Sequence, residues 1–298
     1  MKVNKRLLLL GKYGLLSQAV IKAAQQELFE VMVISKTDGI DLTKVKNSSE
    51  IENLFNDLMP DLVFNATGIT DLNYCEKYPE QAWLLHARLP ALIAAWSSKF
   101  NIPWVHVSTD HYYTGIENIY HSEIDSVTIL NEYSASKLAG ECLALTSNRA
   151  LVLRTNIIGK RGWQNQPNFA EWAIKNLKNQ SSFEGYTNTW SSSIEVGQFA
   201  TLALRMAANG CNGLMNLACS ESISKADWIE KIARCAKFET KNMKKVTTPV
   251  TDDYVFKRAN AMGLDCSKSQ VFLNSLGLKL PDSDEVVKAL VNSFRSEL

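Results

Sequence analysis

The sequence predicts an α/β fold with a doubly wound parallel sheet, and three observations lead to that fold class. Short apolar runs alternate with stretches of helical periodicity through the first half of the chain. The first run, Arg6 to Leu10, ends in a glycine turn and is followed by a helical pattern from Gln18 to Phe29. Small and polar residues follow several later runs, where parallel strands would share one edge. Together these features predict a Rossmann domain, which binds dinucleotides.

The glycine turn after the first strand reads Gly11-Lys12-Tyr13-Gly14-Leu15-Leu16-Ser17. In a dinucleotide fold the first glycine allows a tight turn, and the second lets backbone N–H groups approach a pyrophosphate. The third position needs a small residue so that the helix can pack on the strand. Because Gly11, Gly14 and Ser17 occupy these positions directly after a predicted strand, the turn favours a dinucleotide site over an ordinary loop.

The second predicted strand, Val31 to Ile34, ends in Ser35-Lys36 and has no acidic residue at its tip. An acid there would bind the adenosine ribose diol and favour NAD(H), whereas a hydroxyl and a cation leave room for a 2′-phosphate. The sequence therefore favours NADP(H). Asp38 and Asp41 lie a few residues further on, so NAD(H) stays open.

The third and fourth predicted strands also carry polar residues at their carboxyl ends. A helix capped near Asn47 precedes the strand Leu62 to Phe64, which is followed by Asn65-Ala66-Thr67-Gly68-Ile69-Thr70. Small residues at this edge suit a cofactor lying across the sheet, although a simple turn would use the same residues.

A long helix from Glu80 to Lys99 leads to the fourth strand, Pro103 to Val107, and to Ser108-Thr109-Asp110. Hydroxyl groups placed there can donate hydrogen bonds to a substrate carbonyl. A further apolar run at Leu151-Val152-Leu153 adds another strand to the predicted parallel sheet.

Tyr133 and Lys137 form the strongest chemical feature of the chain. A helix is predicted from Tyr133 to Leu145, and a spacing of four places both side chains on one helix face. A nearby ammonium lowers the pKa of a phenol, which lets a tyrosine exchange a proton with a carbonyl or alcohol near neutral pH. Since exposed helices often carry such pairs, this inference depends on the dinucleotide features around it.

After Arg154 the regular alternation ends, and helices are predicted at Phe169 to Leu177, Val196 to Ala208 and Lys225 to Ala236. We therefore predict a dinucleotide-binding domain at 1–155. Residues 156–298 are predicted to form mainly a smaller α/β substrate domain, with room for segments that return to the Rossmann core.

The composition excludes several classes of partner. Lysine and arginine (32) nearly balance aspartate and glutamate (31), and a net charge of +1 predicts no nucleic-acid binding. The six cysteines have no Cys-x-x-Cys spacing, so no metal site is expected. The apolar run Leu7 to Leu10 is too short for a membrane span or a secretory signal, which predicts a cytoplasmic protein.

In order and spacing, the chain resembles the extended short-chain dehydrogenases/reductases, and within them the dTDP-4-dehydrorhamnose reductase group. The similarity covers essentially the whole sequence. The motifs that carry it are Gly11-Lys12-Tyr13-Gly14, Asn65-Ala66-Thr67-Gly68-Ile69-Thr70, Ser108-Thr109-Asp110 with Gly115, Tyr133-Ser134-Ala135-Ser136-Lys137-Leu138-Ala139-Gly140-Glu141, and Lys257-Arg258-Ala259-Asn260-Ala261-Met262-Gly263-Leu264-Asp265.

The resemblance implies reduction of a nucleoside-diphosphate 4-keto-6-deoxy sugar by NAD(P)H. It implies Tyr133 as proton donor, Lys137 as the residue that binds the nicotinamide ribose and lowers the phenol pKa, and Thr109 as a hydrogen-bond donor to the sugar carbonyl. The implied cofactor contacts are Gly11, Gly14, Leu15, Leu16, Ser35, Lys36, Asp41, Leu42, Gly68, Ile69, Thr70, Tyr133 and Lys137. The implied substrate contacts are Thr109, Asp110 and Ile157.

The chain departs from the group mainly in the predicted substrate half. Arg154-Thr155-Asn156-Ile157 lacks the aromatic residue of the usual Arg-Thr-Ser-Trp, and the usual Asp-Gln-x-Gly-x-Pro-Thr stretch is barely visible around Thr187 to Ser193. In the first half of the chain, His86 stands where an asparagine is usual. Sugar identity is therefore open, as is the choice between monomer and homodimer. Two other functions stay open: a non-catalytic, cofactor-binding regulatory subunit, and a nucleotide-sugar epimerase or epimerase-reductase.

Overall fold

The computed structural model describes residues 5–163, 166–248 and 257–297. Within these ranges the strands are β1 (Arg6–Leu10), β2 (Glu30–Ile34), β3 (Leu62–Asn65), β4 (Trp104–Val107), β5 (Tyr120–His121), β6 (Ala150–Arg154), β7 (Asn156–Ile158), β8 (Phe183–Tyr186), β9 (Trp190–Ser191), β10 (Ser193–Glu195), β11 (Gly213–Asn216), β12 (Ile223–Ser224), β13 (Met243–Val246) and β14 (Ala261–Leu264).

The helices of the same ranges are α1 (Leu15–Gln26), α2 (Ser48–Asn56), α3 (Leu72–Lys77), α4 (Pro79–Trp83), α5 (Leu89–Phe100), α6 (Glu132–Ala144), α7 (Phe169–Lys178), α8 (Val196–Ala208), α9 (Lys225–Ala236), α10 (Ser267–Ser275) and α11 (Ser283–Ser293). Two short 3₁₀ turns follow β2, at Lys36–Asp38 and Leu42–Lys44. A π-helical segment, Leu84–Arg88, joins α4 to α5.

The main sheet has six strands in the order β2-β1-β3-β4-β6-β11. The pairings β1–β2, β1–β3, β3–β4 and β4–β6 are all parallel. Leu7 to Leu10 of β1 are completely buried, as expected for a central strand covered on both faces. The predicted parallel Rossmann sheet is therefore confirmed.

The strand order reverses between β1 and β3, because β2 lies on one side of β1 and the later strands lie on the other. Ligands of open α/β sheets bind in the crevice at the carboxyl ends of the strands next to such a reversal. Leu10 at the end of β1 pairs with Asn65 at the end of β3, so the glycine turn and the loop after β3 leave the sheet side by side.

The helix predicted from Glu80 to Lys99 is helical throughout, but its middle, Leu84–Arg88, is π-helical and not α-helical. Pro90 supplies a physical reason. It has no N–H to donate to the carbonyl of His86 four residues earlier, and its ring would clash with that carbonyl in a regular α-helix. The chain instead forms a longer-range bond from the Leu89 N–H to the Leu84 carbonyl.

Two compact units divide the described chain. Unit 1 lies within Met1–Thr109, Ile129–Arg154 and Ala200–Met215, and unit 2 within Asp110–Thr128, Thr155–Phe199 and Asn216–Leu298. The division into domains 1–155 and 156–298 stays a prediction, because compactness does not test independent folding.

Unit 1 contains the six-stranded sheet and has a core of buried side chains from the sheet and its helices, including Phe55, Trp96 and Trp104. Unit 2 contains a four-stranded sheet, β12-β9-β14-β5, and the strand pairs β7–β10 and β8–β13. Helices α7, α9 and α11 supply much of its separate core. No helix among the residues with described placement is long and apolar enough to cross a bilayer.

Candidate active site

Helix α6 begins one residue before Tyr133, and its start is stabilised by a reciprocal cap. The Asn131 side chain accepts a hydrogen bond from the Ser134 N–H at 2.9 Å, and the Ser134 hydroxyl accepts one from the Asn131 N–H at 3.0 Å. These bonds satisfy N–H groups that have no partner within the helix. The predicted helix over Tyr133 and Lys137 is confirmed, and its first turn is held firmly.

Lys137 is buried, and its Nζ donates a hydrogen bond of 2.5 Å to the Val107 carbonyl at the end of β4. Burial lowers the pKa of Lys137 to about 8, and the Glu141 carboxylate one turn later opposes that shift. The lysine is therefore a desolvated cation near neutral pH, placed at the carboxyl edge of the sheet.

The Glu141 carboxylate fixes α6 against the ends of two strands. It accepts a hydrogen bond from the Ser108 hydroxyl at 2.8 Å, and Arg154 donates to both of its oxygens at 3.0 and 2.6 Å. Both partners of the ion pair are almost completely buried. Because each charge is paired and hydrogen-bonded, this network holds α6 in one position on the sheet.

Tyr133 lies partly exposed on α6, one helical turn before Lys137. Its ring stands perpendicular to the His86 imidazole, with 5.7 Å between the ring centres. Burial, with a smaller effect from the Lys137 charge, holds the pKa of His86 well below its usual value. The phenol therefore has a neutral imidazole on one side and shares its helix face with an ammonium.

The predicted substrate contacts fall in different parts of the structure. Thr109 is buried in unit 1, two residues after the Val107 carbonyl that binds Lys137. Asp110 and Ile157 belong to unit 2, where Asp110 accepts a hydrogen bond of 2.7 Å from Asn156. Ile157 is partly buried in β7 opposite Ile194 of β10.

The glycine turn has the backbone that its sequence predicts. Gly11 has a φ of +99°, and a Cβ added there would lie 3.1 Å from the Ser17 hydroxyl and 3.5 Å from the Ala66 carbonyl. Gly14 precedes α1, whose first residues are Leu15 and Leu16, and no side chain caps this helix start. The turn therefore presents helix N–H groups at the reversal point of the sheet, as anion binding requires.

The tip of β2 is not free of acidic groups, although its last residues are Ser35 and Lys36. Asp38 folds back and accepts hydrogen bonds from the Ser35 hydroxyl at 2.5 Å and from Lys12 of the glycine turn at 2.6 Å. The hydrogen bond from Lys12 is the main cause of a lowered Asp38 pKa. Lys36 lies 3.3 Å from Asp41, so each cation at this tip has a carboxylate neighbour.

Asp41 also caps the 3₁₀ turn at Leu42, and Leu42 itself is buried. On the other side of the reversal point, the loop after β3 is held by Asn65 and His86. The Asn65 side-chain amide oxygen accepts from the Thr67 hydroxyl at 2.6 Å, and His86 Nε2 accepts from the Ile69 N–H at 2.9 Å. Gly68 and Thr70 of this loop are exposed.

Sequence reasoning missed three features of this site: the bonds of His86, the Lys12–Asp38 contact and the Glu141–Arg154 pair. A charged Arg154 at the end of an apolar strand was one usable signal, since such a charge needs a buried partner. Among the residues that the structure describes, no group of three or more His, Cys, Asp or Glu side chains could hold a metal ion.

A parallel sheet with a glycine turn at its reversal point, and a helix carrying Tyr133 and Lys137 at the same edge, define the short-chain dehydrogenase/reductase class of oxidoreductases. The family described as RmlD substrate binding domain matches residues 5–296, and the chain belongs to this family.

Individual relatives agree with this assignment. The chain is 26% identical over 231 residues to the probable low-salt glycan biosynthesis reductase of Haloferax volcanii, covering 74% of this chain and 77% of that protein. It is 25% identical over 205 residues to the dTDP-4-dehydrorhamnose reductase of Aggregatibacter actinomycetemcomitans, covering 68% and 67%. A crystal structure of dTDP-4-dehydrorhamnose reductase from Bacillus anthracis in complex with NADP has a TM-score of 0.83 at 19% identity, covering 97% of this chain and 98% of that one.

Proposed function

We propose that this protein reduces a nucleoside-diphosphate 4-keto-6-deoxy sugar with NAD(P)H. The observation that carries the proposal is the placement of Tyr133 one turn before a buried, hydrogen-bonded Lys137 at the carboxyl edge of a Rossmann sheet. The relatives in the same family that are named as dTDP-4-dehydrorhamnose reductases support the substrate class.

The residues around the reversal point fit a dinucleotide. The close approach of Gly11 to the Ser17 hydroxyl and the Ala66 carbonyl keeps the turn compact, and the uncapped start of α1 leaves N–H groups for a pyrophosphate at Gly14, Leu15 and Leu16. Gly68, Ile69 and Thr70 would contact the cofactor beside them, and Asp41 and Leu42 would lie near the adenine. When bound, the cofactor supplies the hydride.

Tyr133 acts as the general acid in this proposal, and its phenol donates a proton to the oxygen that was the sugar carbonyl. The Lys137 ammonium stabilises the phenolate that remains, so a proton transfer that is unfavourable for an isolated phenol becomes accessible near neutral pH. The Lys137–Val107 hydrogen bond holds the ammonium on the side of the helix that faces the sheet edge.

Lys137 has a second role in binding the nicotinamide ribose, and Thr109 donates a hydrogen bond to the sugar carbonyl. Thr109 follows β4 closely, and the Glu141 contact of its neighbour Ser108 keeps that strand end against α6. Asp110 and Ile157 are also proposed to contact the sugar nucleotide.

NADP(H) is the proposed cofactor, with NAD(H) as the less favoured choice. Lys12 and Lys36 both lie near the tip of β2, and either cation could bind a 2′-phosphate. Asp38 and Asp41 partly neutralise them, which explains why the preference is expected to be moderate. Titration of the protein with NADPH and with NADH measures this preference directly.

The decisive experiment is NADPH consumption with a panel of nucleoside-diphosphate 4-keto-6-deoxy sugars, with product stereochemistry determined by NMR. The Tyr133→Phe variant is the matched control, since it removes the transferable proton and keeps the ring. Reduction of a panel sugar by the wild type but not by the variant is the expected result. A wild type that binds NADPH and reduces none of the sugars would contradict the proposal and favour a non-catalytic regulatory role.

A further inference from the structure

His86 is a buried residue that contacts two separate parts of unit 1 with its two ring nitrogens. Nε2 lies 2.9 Å from the Ile69 N–H, in the loop after β3. Nδ1 lies 2.9 Å from the hydroxyl of Ser136, which sits on α6 between Tyr133 and Lys137. One side chain therefore connects the proposed cofactor loop to the helix that carries the proposed proton donor.

The chemistry of the partners determines which nitrogen carries the proton. A backbone N–H can only donate, so Nε2 must offer its lone pair to Ile69. The ring is then neutral with its proton on Nδ1, and Nδ1–H donates to the Ser136 hydroxyl. That hydroxyl in turn donates to the Glu132 carbonyl at 2.8 Å. The chain of bonds from Ile69 through His86 to the first turn of α6 is complete in this tautomer alone.

The backbone carbonyl of His86 packs closely against helix α6. Pro90 prevents a regular helix here, and the π-helical segment that results brings the His86 carbonyl against α6. A Cβ added to Gly140 would lie only 1.7 Å from that carbonyl oxygen, so α6 can approach this closely only because residue 140 is glycine. The imidazole is therefore anchored by its own backbone, independently of its two side-chain bonds.

We infer that His86 is a positioning residue that holds the Asn65–Thr70 loop and helix α6 in a fixed relation, through Ile69 on one side and Ser136 on the other. This inference rests on the proposed function, because it assigns the loop to the cofactor and the helix to proton transfer. An asparagine at this position would reach the Ser136 hydroxyl from its shorter side chain but would fall short of the Ile69 N–H.

Two substitutions separate the two bonds. His86→Asn places an amide near the Nδ1 position and keeps a donor for Ser136, whereas His86→Gln places an amide near the Nε2 position and keeps an acceptor for Ile69. We expect His86→Asn to raise the Kd for NADPH about tenfold, with kcat at saturating cofactor within about threefold of wild type. We expect the opposite split for His86→Gln, a kcat about tenfold lower with a nearly unchanged Kd.

Two further variants complete the experiment. Ser136→Ala removes the partner on α6 and should reproduce the His86→Gln pattern, and it also decides the helix half of the inference if the His86 variants fold poorly. Ser97→Ala removes a buried hydroxyl on α5 that donates to the Ile102 carbonyl at 2.7 Å, and it measures the general cost of losing a buried hydrogen bond in unit 1. Thermal unfolding of every variant shows how much of each effect is lost stability.

If His86→Asn and His86→Gln change the NADPH Kd by the same factor and kcat by the same factor, the inference is overturned. A residue that only fills space would not affect Kd in one variant and kcat in the other. Wild-type kcat in Ser136→Ala would overturn it as well. The NADPH Kd values need no sugar substrate. If the wild type binds NADPH but reduces no sugar, the proposed function fails, while the comparison of Kd values still tests whether His86 holds the loop.

Discussion

Replacing Gly140 by alanine tests the packing that positions Tyr133 and Lys137. In a solvent-exposed helix, Gly→Ala stabilises by about 1 kcal/mol because glycine loses more backbone entropy on folding. At residue 140, however, the new Cβ would lie 1.7 Å from the His86 carbonyl oxygen and 2.9 Å from its carbonyl carbon. Both atoms are backbone, so no side-chain rotation relieves the overlap.

The clash should therefore outweigh the helix propensity. A normal carbon–oxygen contact is roughly 3.3 Å, and α6 or the π-helical segment would have to move by about 1.5 Å to restore it, a displacement larger than well-packed cores usually tolerate. We expect Gly140→Ala to lower the free energy of unfolding by about 3 kcal/mol or more. The same displacement would lengthen the Lys137–Val107 hydrogen bond and weaken NADPH binding.

The assay is urea unfolding followed by circular dichroism, together with NADPH titration. Ala139→Gly is the matched control in the same helix, and propensity alone predicts a loss of about 1 kcal/mol for it. A Gly140→Ala protein that is as stable as the wild type, or more stable, would refute the close approach of the His86 carbonyl to α6.

Three other predictions concern the chemistry of the site. Tyr133→Phe should lower kcat by about two to four orders of magnitude in the NADPH assay and leave the NADPH Kd nearly unchanged, since only the transferable proton is lost; wild-type turnover would exclude Tyr133 as the acid. Lys137 has a pKa of about 8, so it loses its charge as pH rises through about 8, and kcat/KM should fall there. Because this pKa lies below the value of 10.5 for the unfolded chain, the free energy of unfolding should rise between about pH 8 and about pH 10.5. A pH profile that stays level to pH 10 would show that the lysine charge is not required. Asp38→Asn frees Lys12 and should raise the ratio of NADPH to NADH affinity, by about tenfold at most because the ion pair is partly exposed. Glu30→Gln removes an exposed carboxylate at the start of β2 and is the matched control; an unchanged ratio in Asp38→Asn would remove Asp38 from cofactor selection.

The residues assigned to proton transfer and cofactor binding all lie in unit 1, where buried bonds such as Glu141–Arg154 hold them. Asp110 and Ile157, assigned to the sugar nucleotide, lie in unit 2. The sequence departures from the related reductases also fall mainly in unit 2, so substrate choice can differ while the reduction chemistry is kept.

The sequence by itself determined the alternation of strands and helices in the first half of the chain, the glycine turn and the helix that carries Tyr133 and Lys137. These features depend on patterns within a few residues: apolar runs, a glycine spacing, and the four-residue repeat of a helix face. The family resemblance rests on the same short motifs, and the family match over residues 5–296 agrees with it.

Only the tertiary structure decided how these motifs are joined. His86 bonds to residues 17 and 50 positions away, and Lys12 bonds to Asp38 26 positions away. Such contacts depend on how strands and helices pack, and no local pattern in the sequence contains them. Gly140 illustrates the difference: the sequence shows a glycine in a helix, which costs stability, and the packing against the His86 carbonyl supplies the reason it is there.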